Sequence, residues 1–119
     1  MFKRERTAPL ETLIGPTVLV RGDLEFSGGL QVEGRVLGHV HVPEGQQGTI
    51  AMTDTAVVEG EVRAQQGTIN GRVRGDVHVS GRLALGPQAV LEGNVYYGTI
   101  EMQAGARISG KMQSVAPAA

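Results

Sequence analysis

The sequence predicts an all-β fold: one parallel β-helix of about five to six turns, with three short strands in each turn. Three observations carry this. Short segments recur at multiples of roughly 18 residues, as the repeats of solenoids do. Within them, aliphatic and polar residues alternate with the period of two that belongs to strands. Glycine interrupts the pattern every four to six residues, so the strands are short and the corners tight.

The recurrences can be read directly. Gly34–Val42 (GRVLGHVHV) and Gly71–Val79 (GRVRGDVHV) agree at seven of nine positions. Arg21–Gly28 (RGDLEFSG) and Arg74–Gly81 (RGDVHVSG) agree at five of eight. Ala56–Val62 (AVVEGEV) and Ala89–Val95 (AVLEGNV) agree at five of seven. QQGTI occurs at Gln46 and Gln65, and a third GTI begins at Gly98. Offsets of 37 and 53 residues are close to two and three turns, and the offsets of 33 and 19 scatter around the same multiples as loop length varies.

A smaller unit repeats inside each turn: a polar residue, Gly, any residue, then an aliphatic. Glu33-Gly34-Arg35-Val36, Glu59-Gly60-Glu61-Val62 and Glu92-Gly93-Asn94-Val95 are examples. Helix is excluded, because glycine at this frequency costs a helix about 1 kcal/mol per residue. The repeating region runs from about Leu13 to Met112. At ~4.8 Å per rung it makes a stack roughly 25–30 Å long.

Composition agrees. The chain has 119 residues, one domain's worth, with 18 Gly, two Phe, two Tyr and no Trp. The core therefore rests on Val, Leu and Ile. A net charge of −1 gives no field for nucleic acid, and aromatic stacking platforms are missing. With no Cys there are no disulfides, thiolate metal sites or Cys nucleophiles. No apolar run approaches the ~18 residues of a membrane span, and the polar start MFKRERTAP is not a secretory signal. The expected organisation is a flexible basic tail over residues 1–11, the β-helix over 12–112, and a flexible tail over 113–119. Pro43–Gly48 (PEGQQG) lengthens one turn, either as a partner-binding feature or, more simply, as tolerated slack.

The run from Thr12 to Val40, TLIGPTVLVRGDLEFSGGLQVEGRVLGHV, resembles the opening of a bactofilin domain. Such a domain has an Ile-Gly-Pro start, a G-x-L-x-F-x-G-x-L-x-V-x-G run and then a ladder of Gly-Val units. The resemblance covers about Thr12 to Met112. It implies a right-handed β-helical core and a bacterial cytoskeletal protein that polymerises without nucleotide into nonpolar filaments. It also implies attachment to the inner membrane and recruitment of cell-envelope or peptidoglycan-related proteins, with no cofactor and no small-molecule substrate.

The residues themselves favour a polymer. A β-helix presents unpaired backbone groups at both ends, soluble solenoids usually carry a polar cap, and no cap is evident here. The first turn carries Leu13, Ile14, Val18 and Val20, and the last carries Ile100, Met102, Ile108 and Met112. These eight form the expected polymerisation interface. If each end pairs with its own kind, both contacts are two-fold and the filament has no polarity. At the N-terminus, Met1, Phe2, Lys3, Arg4 and Arg6 resemble the short hydrophobic and basic anchor peptide of bactofilins. Phe2 can enter the lipid interface, while each basic residue gains about 1 kcal/mol near anionic lipid.

Other chemistry is weaker. His39, His41 and His78 suggest a three-histidine metal site. The repeat instead sets His41 and His78 at equivalent positions two turns apart, with His39 aligned to Asp76, so no metal site is expected. Ser27-Gly28-Gly29 is not followed by the Gly-Lys-Ser/Thr of a phosphate-binding loop. Hexapeptide acyltransferases are also β-solenoids, but their six-residue aliphatic spacing is absent, and no catalytic residues are assigned. A non-polymerising structural adaptor is the remaining alternative. The two Arg-Gly-Asp tripeptides, at Arg21 and Arg74, read as one corner of the coil met again three turns later, not as a receptor ligand.

Overall fold

The computed structural model describes residues 10–115, all of them in strands, turns and short connections. The first turn holds β1 (Leu10–Ile14), β2 (Leu19–Arg21) and β3 (Leu24–Glu25). The second holds β4 (Gly28–Val32), β5 (Arg35–Leu37) and β6 (Val40–His41), and the third β7 (Gly48–Met52), β8 (Val57–Glu59) and β9 (Val62–Ala64). The fourth begins with β10 (Gln66–Ile69) and β11 (Arg72–Arg74), then enters β12 (Val77–Leu85), which bends round a corner into the fifth. There β13 (Val90–Glu92) is followed by β14 (Val95–Met102), which bends in the same way into the sixth turn, closed by β15 (Arg107–Ser109) and β16 (Met112–Ser114).

All pairings are parallel and join each turn to the next. Three faces result. The first is made of β1, β4, β7, β10 and the second halves of β12 and β14; the third is made of β3, β6, β9, the first halves of β12 and β14, and β16. Because β12 and β14 belong to both, these two faces form one ten-stranded sheet. The second face is a separate six-stranded sheet of β2, β5, β8, β11, β13 and β15. Six strands on that face make six turns, the upper figure of the sequence expectation. Leu10 and Glu11 already belong to the first strand, and Gln113 and Ser114 to the last.

Alternation puts the same side-chain type in the interior at every turn. Val20, Val36, Val58, Val73, Leu91 and Ile108 stack on the second face, and Leu24, Val40, Val62, Val77, Val95 and Met112 on the third. The first face contributes Ile14, Val32, Met52, Ile69, Leu85 and Met102. In the middle turns these residues are fully buried, and no polar or charged residue is buried among the described residues. Burying each such side chain is worth about 1.5–3 kcal/mol.

The corner between the second and third faces explains the glycine count. Gly22, Gly38, Gly60, Gly75, Gly93 and Gly110 stack there with φ between 119° and 158°. A Cβ on Gly60 would lie 2.2 Å from the Gly38 carbonyl oxygen. Both the backbone conformation and the rung spacing therefore demand glycine at this corner. Arg21-Gly22-Asp23 and Arg74-Gly75-Asp76 are two copies of it, three turns apart.

One sequence equivalence does not hold. The QQGTI at Gln65 is not in register with the one at Gln46: Gly67 pairs with Ile50, and Ile69 with Met52. Pro43–Gln47 is extra chain at the corner before β7, with a turn closed by the Gln46 N–H donating to the Pro43 carbonyl at 3.1 Å. The shorter corner before β10 shifts that pentapeptide by two residues. The third GTI does match the first, since Ile100 lies in the column of Leu83, Gly67 and Ile50.

Candidate functional site: the ends and faces of the solenoid

At the ends the interior columns run out of neighbours. In the first-face column, exposure is 0–2% from Val32 to Leu85 and jumps to 44% at Met102. In the third-face column it goes from 0% at Val95 to 42% at Met112. Ile100 and Ile108 of the same final turn are half-buried. The structure thus gathers the four expected C-terminal residues on one end, as the underside of the last turn.

The N-terminal set is less uniform. Val20 is half-buried at the head of its column and Ile14 is only 6% exposed. Leu13, 54% exposed, pairs with Gln31 and faces outward from β1, on a side of the solenoid. Val18, 42% exposed, lies at the corner leading into β2, and its carbonyl accepts from the Arg35 N–H at 3.0 Å. Leu10, Leu19 and Val115 are also exposed, and the sequence reading did not single them out. Leu19 could have been found, because it alternates with the inward Val20. Met1, Phe2, Lys3, Arg4 and Arg6 lie outside the described residues.

The third face is polar and internally paired. Following four of the six corner glycines, a side chain accepts the backbone N–H of its counterpart one turn on. Asp23 accepts from His39 at 3.0 Å, His39 Nδ1 from Glu61 at 2.9 Å, Asp76 from Asn94 at 3.0 Å, and Asn94 Oδ1 from Lys111 at 3.2 Å. His41 meets Glu25 at 3.1 Å, and His78 meets Glu61 at 3.0 Å and stacks on Tyr96 with ring centroids 4.5 Å apart. His41 and His78 occupy one column separated by Arg63, so the three histidines do not converge. Ligand atoms of Glu61, Asp76 and His78 do lie within 4.8 Å of one another. The Arg63 guanidinium bonds both Glu61 oxygens, at 3.2 and 3.4 Å, and so places a cation where a metal would need the carboxylate.

The remaining faces differ in charge. On the first, Arg82 pairs with Glu101 on a face whose other outward residues include Leu13, Gln31, Ala51, Thr68 and Ala84. On the second, Arg74 lies between Glu92 at 3.2 Å and Glu59 at 3.9 Å, and Arg72 is 3.9 Å from Glu92. The concavities are open: one of 270 Å³ lies at the corner by Arg63, His78 and Tyr96, and one of 720 Å³ lies by Arg72, Glu92 and Arg107 on the second face. Ser27-Gly28-Gly29 leads straight into strand β4 and forms no phosphate-cradling loop. No helix long and apolar enough to cross a membrane is present among the described residues.

Comparison with known proteins finds one family and a relative within it. Bactofilin BacO of Myxococcus xanthus (strain DK1622) is 25% identical over 111 residues, covering 93% of this chain and 85% of that protein. No solved structure matches. The family model for bactofilins, described as polymer-forming cytoskeletal, matches residues 12–113, nearly the whole solenoid, and the chain belongs to that family.

Proposed function

We propose that this protein assembles end to end, without nucleotide, into nonpolar filaments that lie on the inner face of the cytoplasmic membrane and scaffold cell-envelope machinery. The observation that carries the reading is the abrupt exposure of the interior columns at Met102 and Met112. Strands β15 and β16 have a partner on one side only among the described residues, so a second copy's turn can continue both the hydrogen-bond ladder and the aliphatic columns. Contact of each end with its like gives two-fold interfaces and a filament without polarity. The N-terminal end offers Val20, Val18 and the rim of Leu13, with Ile14 beneath. Membrane attachment rests on Phe2, Lys3, Arg4 and Arg6, multiplied by the many copies a filament displays.

Negative-stain microscopy of the purified full chain tests the assembly. Filaments are expected from the native protein, and Met112→Arg is expected to give short soluble species. Native filament lengths in that variant would remove the C-terminal end from the interface, and a native chain that stays monomeric would favour a non-polymerising adaptor.

A further inference from the structure

On the second face, one outward column reads Leu19, Arg35, Val57, Arg72, Val90, Arg107: aliphatic and arginine in strict alternation over six rungs. Its neighbouring column adds Arg21, Leu37 and Arg74, with Glu59 and Glu92. Five arginines and two glutamates thus share one sheet face. Both glutamates are engaged by Arg72 or Arg74. Arg21, Arg35 and Arg107 have no carboxylate partner among the described residues and are exposed. Cross-strand like charges repel, so the interposed aliphatics let successive arginines stand two rungs apart, roughly 10 Å.

We propose that this second face is a docking surface for an anionic lipid bilayer, which deepens, and rests on, the membrane part of the reading above. Charge decides the occupant. Another copy would have to offer an acidic face, and the third face is the one that holds several acids. Its Glu25 and Glu61 already pair with His41, Arg63 and His78, which leaves Asp23 and Asp76, each accepting a backbone N–H, as too few acids to match five arginines. Lipid phosphates and carboxylates are free to meet unpaired guanidinium groups, while Leu19, Val57 and Val90 sit at the headgroup boundary beside the arginine stems. Repetition along a filament turns a weak contact per subunit into firm attachment.

The test is flotation of the assembled full chain with phosphatidylcholine vesicles, with and without phosphatidylserine. Native filaments are expected to float only with phosphatidylserine, and less at high salt. The combined Arg35→Gln, Arg72→Gln variant, changed only in inner turns, is expected to form filaments yet need about tenfold more anionic lipid. Lysine at the same two positions is expected to restore most of the binding, which a purely structural role would not produce. A chain lacking residues 1–6 is expected to keep a weaker, salt-sensitive flotation. Native-like flotation of the glutamine variant overturns the assignment, as does complete loss of flotation on deleting residues 1–6, which leaves the tail as sole anchor. Loss of side-by-side bundles with flotation unchanged assigns the face to a second copy and also overturns it. Native filaments that float with neither vesicle overturn the membrane reading itself.

Discussion

Gly60 lies directly over Gly38: a Cβ at residue 60 would come within 2.2 Å of the carbonyl oxygen of residue 38, at a backbone φ of 153°. The clash is with backbone, which cannot rotate away, and the conformation is one that L side chains rarely adopt. Gly60→Ala is expected to destabilise the solenoid by about 2 kcal/mol or more, lowering the thermal midpoint by roughly 8 °C. Gly45 in the Pro43–Gln47 loop supplies the contrast, with φ 84° and nothing within 4 Å of its added Cβ. Gly45→Ala should lower the midpoint much less, and equal losses would show that the rung contact contributes nothing.

Leu91 and Ile108 are neighbours in one interior column with different expected phenotypes. Leu91 is fully buried, so Leu91→Ala should cost about 2–5 kcal/mol and shift thermal unfolding strongly. Ile108 is half-buried in the last turn. Ile108→Ala should change unfolding less and shorten filaments more, if the last turn is an assembly surface. Filaments of native length from Ile108→Ala would count against that surface.

Much of this architecture is written in the alternation of residues such as Val36, Val40 and Val42 and in the glycine corners, because one side chain per rung must repeat the last. Register is less legible. The QQGTI at Gln65 sits two residues out of step with that at Gln46, and a shift of two leaves every side chain on the same side of its strand. Alternation cannot detect it; only the length of the Pro43–Gln47 corner sets it. Leu13 lies in the first turn as expected, but its side chain points outward, because parity gives Ile14 the interior position. The arginine and aliphatic column was hidden for a related reason. Its members are 15 to 22 residues apart, and only the pairing of rungs places Arg35, Arg72 and Arg107 in line.

Arg74, between Glu59 and Glu92, is more than half exposed, as befits a surface network. Arg74→Ala is expected to cost less than about 1 kcal/mol, and the loss should shrink as salt is raised. A salt-independent loss of several kcal/mol would mean that the arginine stem, rather than the ion pair, packs the second face.

Asp76 accepts the Asn94 N–H at 3.0 Å, and Asn94 in turn accepts the Lys111 N–H at 3.2 Å, so each side chain caps a backbone donor of the next rung. These donors follow the corner glycines, where the ladder is interrupted. Asp76→Ala leaves a part-buried N–H without its acceptor and is expected to cost about 1 kcal/mol. Asp76→Asn keeps an acceptor oxygen in the same place, as Asn94 itself does, and should restore most of the loss. Hydrogen exchange reads this locally: the residue 94 amide should exchange faster in the alanine variant and near the native rate in the asparagine one. If Asp76→Asn exchanges as fast as alanine, the carboxylate's charge matters beyond its acceptor. The neighbouring His78 and Arg63 are then the groups through which that charge acts, since Glu61, Asp76 and His78 share one cluster and Arg63 binds its glutamate.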